Sequence, residues 1–114
     1  MTRKVKKDPR LAKLSALFEA SFQASQAAHI AASAEVATLE QKIAALRQSH
    51  EQLQHTTKVD PADVLSAGRH QAWIVQQIKA LNLELARAMA AELESREALA
   101  QENGRKQVLK KLLG

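Results

Sequence analysis

The chain has 114 residues, a length that allows one domain at most, and it is 46% hydrophobic but only 3% aromatic. It contains no cysteine, which excludes disulfides, thiol catalysis and cysteine-ligated zinc, and no apolar run reaches the ~20 residues that span a bilayer. The net charge is +5, and the excess of Lys and Arg lies near the two ends of the sequence. An alanine-rich chain with abundant Leu, Gln, Glu and Lys is typical of long helices and coiled coils.

The first seven residues are basic and precede an apolar stretch from Leu11 to Phe22. This order is that of a signal peptide, but Lys13 and Glu19 interrupt the apolar stretch, so we predict no signal peptide. The first seven residues alone leave a transit peptide open. Because the helix that follows has a structural pattern, we expect an intracellular, soluble protein.

The first helix is predicted over residues 9–55. Asp8 and Pro9 stand in the order of an N-cap and a first helical residue, since the carboxylate accepts backbone N–H bonds and proline needs no donor there. Its inward-facing positions alternate at spacings of three and four, the repeat of a coiled-coil seam. The predicted seam residues are Leu11, Ser15, Phe18, Phe22, Ser25, His29, Ala32, Val36, Leu39, Ile43, Leu46, His50 and Leu53.

A break at residues 56–60 separates two long helical stretches. Its three β-branched residues weaken the helical pattern, and Asp60 with Pro61 repeats the N-cap arrangement. The second helix is therefore predicted over residues 61–112. Two helices of similar length joined by a short turn predict an all-α fold, an antiparallel two-helix coiled-coil hairpin forming a long rod.

The second helix carries its own stripe, which we expect to drift beyond Leu85 through Met89, Leu93 and Leu99. Folding about the break pairs positions whose numbers sum to about 117, and on this basis the two stripes coincide. The alternative is that the seam pairs two chains in a dimer. The stripe consists of Val64, Ala67, Gln71, Ile74, Ile78, Leu81, Leu85 and Ala88. The predicted pairs include Leu53 with Val64, Ile43 with Ile74, Val36 with Leu81, Phe18 with Leu99 and Leu11 with Lys106.

The middle of each helix is rich in alanine, and facing alanines bury little apolar area. We therefore expect the half that holds the two ends to be less stable than the half near the turn. Asn103 and Gly104 form a pair that often ends a helix. The amphipathic stretch after Gly104 is either a continuation of the second helix with a weak point or a separate segment.

A hairpin would bring two basic segments, residues 1–13 and 105–111, to one end. Together they hold ten Lys and Arg and a single acid, Asp8. One interpretation of this basic tip is a solvated, solubilising end. Because leucines accompany the cations, the tip also has the features of a docking surface for an acidic protein groove, a membrane surface or nucleic acid. Only Gln107 in these segments could read a base, so any DNA binding would be nonspecific.

No catalytic, cofactor or metal site is predicted. His50 and His55 superficially match the zinc motif H-E-x-x-H, but they are five residues apart and lie off one helical face. His29 and His50 fall on the seam, where polar residues usually set the register. The sequence has no glycine-rich phosphate loop, and a two-helix hairpin offers no enclosed pocket, so we predict no enzyme activity.

Trp73 is the sole tryptophan and falls beside the seam. In a structural interpretation it covers the seam next to Ile74 and Ala44. In a functional interpretation it is an exposed anchor for a partner, since tryptophan dominates many interface hot spots. Both interpretations stay open at the level of sequence.

Two stretches of the second helix carry a family resemblance. One runs from Ser66 through Trp73 to Leu81, an aromatic-bearing start that continues into heptads. The other is Ala100 followed by Arg105-Lys106-Gln107-Val108-Leu109-Lys110-Lys111-Leu112, a basic, leucine-bearing C-terminal stretch. Together they resemble the flagellar FliJ family and its injectisome counterpart, the YscO family, which are small cytoplasmic antiparallel coiled-coil hairpins of type III export systems.

The resemblance implies a non-enzymatic stalk protein of the export apparatus. Such a protein inserts the joined ends of its helices into the ring of the export ATPase, contacts the export-gate membrane protein and handles export chaperones. The alternative function is a generic coiled-coil adaptor, or a nonspecific nucleic-acid-binding protein, that uses the basic tip. By position, the resemblance implies partner contacts by Arg105, Lys106, Leu109, Lys111 and Leu112; the basic tip adds Arg10 and Lys13, and the lone tryptophan adds Trp73.

Overall fold

The computed structural model describes residues 9–55 and 60–113, which form two helices. Helix α1 runs over Pro9–His55 and helix α2 over Pro61–Leu113. The two helices pack antiparallel as a hairpin, so the predicted all-α fold class is confirmed. Helix α2 ends one residue later than the sequence pattern predicts.

Helix α2 begins with the predicted N-cap. The Asp60 carboxylate oxygen Oδ1 accepts the backbone N–H of Ala62 at 3.0 Å, and the Asp60 carbonyl accepts the backbone N–H of Val64 at 3.0 Å. These bonds satisfy donors that would otherwise have no partner in the first turn. The corresponding cap predicted at Asp8, and the turn predicted at residues 56–59, lie outside the described residues.

Helix α2 continues without interruption through Gly104. A β-carbon added at Gly104 would meet nothing within 4 Å, so no close approach requires glycine there. Relative to alanine, glycine costs a helix interior about 1 kcal/mol, which the surrounding helix tolerates. Lys110 and Lys111 in the last turn favour the helix because they lie near its partially negative C-terminal end. Of the two alternatives for this stretch, the continuous helix is the observed one.

Residue contacts divide the chain into two units, each of which contains part of both helices. The turn unit comprises Ala34–Met89. The terminal unit comprises Met1–Ser33 and Ala90–Gly114, of which residues 9–33 and 90–113 are described. Among the described residues, the buried hydrophobic side chains of the turn unit are Val36, Leu39, Ile43, Ile74 and Ala88, and that of the terminal unit is Leu109.

The core of the turn unit is built from the aliphatic part of the seam. Val36, Leu39 and Ala88 form a buried cluster, and Leu81 and Leu85 pack against it. These positions recur at spacings of three and four, so each side chain enters the space between side chains of the facing helix. The side chain of Ala88 is a single methyl group, and a side chain this small opposite larger aliphatic residues allows the two backbones to lie close together.

The predicted seam of α1 is confirmed along its whole length, since each of its predicted positions is buried or partly buried. In α2, the predicted drift through Met89 and Leu93 is wrong, because these side chains are 52% and 53% exposed. The heptad spacing continues unchanged, and the helix places polar residues on the seam instead of shifting the stripe. After Ala88 the inward-facing positions are Glu92, Ser95, Leu99, Glu102, Lys106, Leu109 and Leu113.

The predicted pairing register is wrong by one heptad. In the terminal unit, His29 Nδ1 lies 2.9 Å from Ser95 Oγ, and Lys106 Nζ lies 3.1 Å from Glu19 Oε2. The predicted register instead sets Ser95 opposite Phe22 and Lys106 opposite Leu11, about one heptad before the observed partners on α1. A shift of seven residues brings the same two stripes together, so the heptad pattern alone cannot distinguish the two registers.

The exposure of Val64 follows from the same shift. Val64 is predicted to face Leu53, but its side chain is 52% exposed, and the adjacent Leu65 is 59% exposed. In the observed register, the first two turns of α2 extend past the last residue of α1 and have no α1 residue opposite them. The prediction that Val64 lies on the seam is therefore wrong.

Replacing a fully buried seam residue should destabilise the turn unit far more than replacing Val64. The Ile74 side chain is 1% exposed, and Ile74→Ala should lower the free energy of unfolding by about 2–5 kcal/mol through lost burial and the cavity left behind. Val64→Ala should change it by less than about 0.5 kcal/mol. Urea denaturation followed by circular dichroism measures both. Equal losses in the two variants would support the predicted register over the observed one.

The register can be tested by disulfide formation, because the chain has no cysteine of its own. We expect the double variant His29→Cys/Ser95→Cys to cross-link readily, since this pair is in contact. Phe22→Cys/Ser95→Cys is the control, and its cysteines are separated by one heptad, about 10 Å along the helix. Non-reducing electrophoresis after mild oxidation gives the result. Cross-linking of the control pair alone would support the predicted register, and covalent dimers at low protein concentration would support pairing between chains.

Candidate partner-docking surface

The terminal unit brings the start of α1 and the end of α2 together. Arg10 and Lys13 on α1 are exposed, as are Arg105, Lys110 and Lys111 on α2. We call this region, residues 9–20 with residues 101–113, the basic end. Its acids are Glu19 and Glu102, and each of them contacts a cation of the same region. Because cations outnumber acids six to two in this region, the net charge presented to a partner is positive.

Lys106 joins the two helices across the seam. Its Nζ lies 3.1 Å from Glu19 Oε2 and 4.3 Å from the centroid of the Phe22 ring. The ammonium group thus makes both an ion pair and a cation–π contact with α1, and its aliphatic stem occupies a seam position. Lys106 was predicted to contact a partner, but the contacts that it makes hold the hairpin together.

Leu109 is also part of the hairpin interior. Its side chain is 7% exposed and lies next to Phe18 and Ser15 of α1. A side chain with so little free surface cannot contribute much area to a partner. Leu109 therefore packs α2 against α1, and its predicted contact with a partner, which would be limited to this small exposed area, stays a prediction.

The other predicted contact residues at the end of α2 face solvent. Leu112 is 63% exposed, and Lys111 is exposed. The Arg105 side chain is 59% exposed although its Nη1 lies 3.0 Å from Glu102 Oε1. The i, i+3 spacing of that pair orients the guanidinium along α2 and leaves its outer edge accessible. These three residues remain candidates for partner contact.

An apolar groove runs along one side of the basic end, and the heptad analysis missed it. It has a volume of about 460 Å³, and its one charged lining side chain is Arg105. The exposed aliphatic residues Leu14 and Val108 line it, with 40% and 59% of their surface exposed. The feature of the sequence that could have predicted the groove is the presence of large aliphatic residues next to the seam positions on both helices. The groove is lined by Leu14, Phe18, Gly104, Arg105, Val108, Leu109 and Leu112.

A polar layer crosses the seam of the terminal unit at His29. The Ser95 hydroxyl donates to the backbone carbonyl of Glu92 at 2.7 Å, and Ser95 Oγ lies 2.9 Å from His29 Nδ1. Ser95 thus lies within hydrogen-bond distance of both its own helix and the imidazole of the facing helix. This layer positions the helices, as polar seam residues are expected to do.

Trp73 belongs to the turn unit, so it is not part of the basic end. Its side chain is 53% exposed, and its ring stacks on His70 with centroids 5.9 Å apart and an interplanar angle of 10°. Trp73 therefore remains a separate candidate anchor.

Across residues 9–55 and 60–113, no group of three or more His, Cys, Asp or Glu side chains is placed to hold a metal ion. In the same residues, neither helix has a segment long and apolar enough to cross a membrane. Comparison with known proteins gave no match: no family model, curated protein or solved structure is significantly similar to this chain.

The link between Lys106 and Glu19 should be measurable as a coupling energy. In a double-mutant cycle with Lys106→Ala and Glu19→Ala, we expect about 0.2–1 kcal/mol of coupling, because both groups are partly exposed. The coupling should fall as salt rises, since screening weakens exposed pairs. The matched control is Arg96→Ala with Glu92→Ala, a pair within α2. A Lys106–Glu19 coupling of zero would show that this pair does not help to set the register.

Proposed function

We propose that this chain is a non-enzymatic coiled-coil coupling protein that docks its basic end onto partner proteins. Its resemblance to the FliJ and YscO families supports a place in a type III protein export apparatus. The proposed partners are the export ATPase ring, the export-gate membrane protein and export chaperones. The proposed location is the cytoplasm, in association with the membrane-bound export apparatus.

The observation that carries the proposal is the combination of exposed cations and exposed aliphatic side chains in the terminal unit. Leu112 and Val108 are 63% and 59% exposed beside Arg105 and Lys111. Contact of apolar side chains with water is unfavourable, and burying them against a partner lowers the free energy by ~25 cal/mol per Å² of apolar surface. Cations at the edge of such a surface accelerate and orient the encounter with an acidic partner.

Contacts within the hairpin distinguish the residues that hold the two helices together from the exposed residues that we propose for docking. Lys106 and Leu109 fix the end of α2 on the start of α1. The exposed cations on both helices are thereby held in one unit, and less conformational entropy is lost when a partner binds. We propose that Arg10, Lys13, Arg105, Lys111 and Leu112 contact the partner.

The exposed cations also support a second candidate, an adaptor that binds nucleic acid nonspecifically. Phosphate contacts by lysine and arginine release counterions, so that affinity for DNA would fall steeply with salt. The apolar groove beside the cations favours a protein partner, because phosphate backbones offer few apolar groups to cover it. Comparing DNA binding at low and moderate salt separates the two candidates.

The proposal is tested with the cognate export ATPase. The full chain should raise the ATPase rate, and Arg105→Ala/Lys111→Ala should raise the half-maximal concentration roughly tenfold by removing two rim charges. Lys79→Ala/Arg87→Ala, which removes two exposed cations of the turn unit, is the matched control and should behave as wild type. Circular dichroism verifies that all variants stay helical. No stimulation and no co-purification with wild-type protein would refute the export assignment.

A further inference from the structure

We propose that the apolar groove of the basic end binds an amphipathic helix of a partner protein whose polar face is acidic. This inference rests on the proposed docking function and specifies its surface and the chemistry of its partner. It is drawn from the lining of the groove, its shape and the charges on its rim.

The two sides of the helix interface differ in chemistry at the basic end. On one side, Ser15, Glu19, Lys106 and Lys110 supply polar groups. On the other side, the groove has Arg105 as its one charged lining residue. The charged side is sufficient to keep this end of the hairpin solvated, so solvation does not explain why the other side is apolar. A two-helix coiled coil with one apolar flank has the surface against which a third helix packs.

The groove has the dimensions of a helix-binding site. Phe18 and Leu109 are less exposed than the aliphatic side chains beside them and form its floor. Gly104 and Leu112 line its two ends, eight residues apart on α2, which corresponds to about 12 Å or slightly more than two helical turns. That length accommodates partner side chains at positions i, i+3 or i+4, and i+7. Because Gly104 lacks a side chain and has open space around it, a partner can approach closely there.

The rim of the groove is basic. Arg10 precedes the lining residue Leu14 by four residues, so it lies on the same helical face as that leucine, and the neighbouring cation Lys13 is also exposed. On α2, Arg105 lines the groove itself. Arg10, Lys13 and Arg105 are all exposed, and the cations of the basic end outnumber its acids six to two, so the region carries a net positive charge even though Glu19 contacts Lys106 and Glu102 contacts Arg105. Carboxylates on the partner helix would complement this rim.

Two other occupants fit less well. A second copy of this chain placed on the groove would bring like-charged rims together, and like charges at close range disfavour association. A bilayer surface is flat and would reach the exposed leucines on the walls but not the floor formed by Phe18 and Leu109. A helix supplies protruding side chains for the floor and carboxylates for the rim.

The probe for this site is a synthetic peptide of about 20 residues, long enough to form a helix, with leucines on one face and glutamates elsewhere. A second peptide carries lysines in place of the glutamates, and a third has the same composition as the first without amphipathic order. Binding of each labelled peptide to the full chain is measured by fluorescence anisotropy. We expect the acidic amphipathic peptide to bind, and the other two to bind at least roughly tenfold more weakly.

The groove is tested with Val108→Gln/Leu112→Gln, which removes two exposed aliphatic side chains without opening the core. Val64→Gln/Leu65→Gln is the matched control, because these residues are a similarly exposed aliphatic pair on the same helix. The groove variant should raise the Kd of the acidic peptide roughly tenfold, and the control should leave it unchanged. Gly104→Gln, which adds a side chain in open space at the end of the groove, should also weaken binding.

Several results would overturn the inference. One is equal affinity for the acidic and basic peptides, and another is a Kd for the acidic peptide that the groove variant does not change.

Other results would assign the surface to a different occupant. The surface would belong to lipid if the peptides do not bind, vesicles of phosphatidylcholine with phosphatidylglycerol do, and the groove variant loses the vesicle binding. Self-association by sedimentation that the groove variant abolishes would assign it to a second copy. Peptide binding without ATPase stimulation would refute the export assignment only, and ATPase stimulation without peptide binding would refute this inference only.

Discussion

Each helix of the hairpin turns one stripe of residues toward the other, because positions at alternating spacings of three and four lie along one side of a helix. The chain has few large apolar side chains, so almost all of its apolar burial has to come from this stripe. In the turn unit, Val36, Leu39 and Ile74 fill it with aliphatic groups. In the terminal unit the same spacing persists with serines, a histidine and charged residues in many of the inward positions. The geometry of the seam is therefore constant, whereas its chemistry changes along each helix.

That change in chemistry explains how one register is selected. An aliphatic or alanine seam packs nearly as well after a shift of one heptad, since one methyl or isobutyl group replaces another. The contact of His29 with Ser95 and the ion pair of Lys106 with Glu19 do not survive such a shift. Polar groups on a seam cost apolar burial but specify which residues meet. We therefore expect these two contacts to contribute to the choice of register.

The seam also determines which side chains are left for a partner. Lys106 and Leu109 are consumed by contacts between the helices, although charge and hydrophobicity alone make them attractive docking residues. Leu14, Val108 and Leu112 fall outside the seam and are exposed in the terminal unit together with nearby cations. A residue of the basic end is therefore available for binding when it lies beside the helix interface, not on it.

The helices, the N-cap at Asp60 and the inward face of α1 could be predicted from the amino-acid sequence, because helix capping and heptad periodicity are local properties of the chain. The sequence also placed the cations that make the basic end positive. The register, the continuity of α2 through Gly104 and the apolar groove became known from the fold. A heptad pattern repeats after seven residues, so it is the same before and after a shift of one heptad. The groove needs Leu14 of one helix beside Val108 of the other, a proximity that neither local stretch encodes.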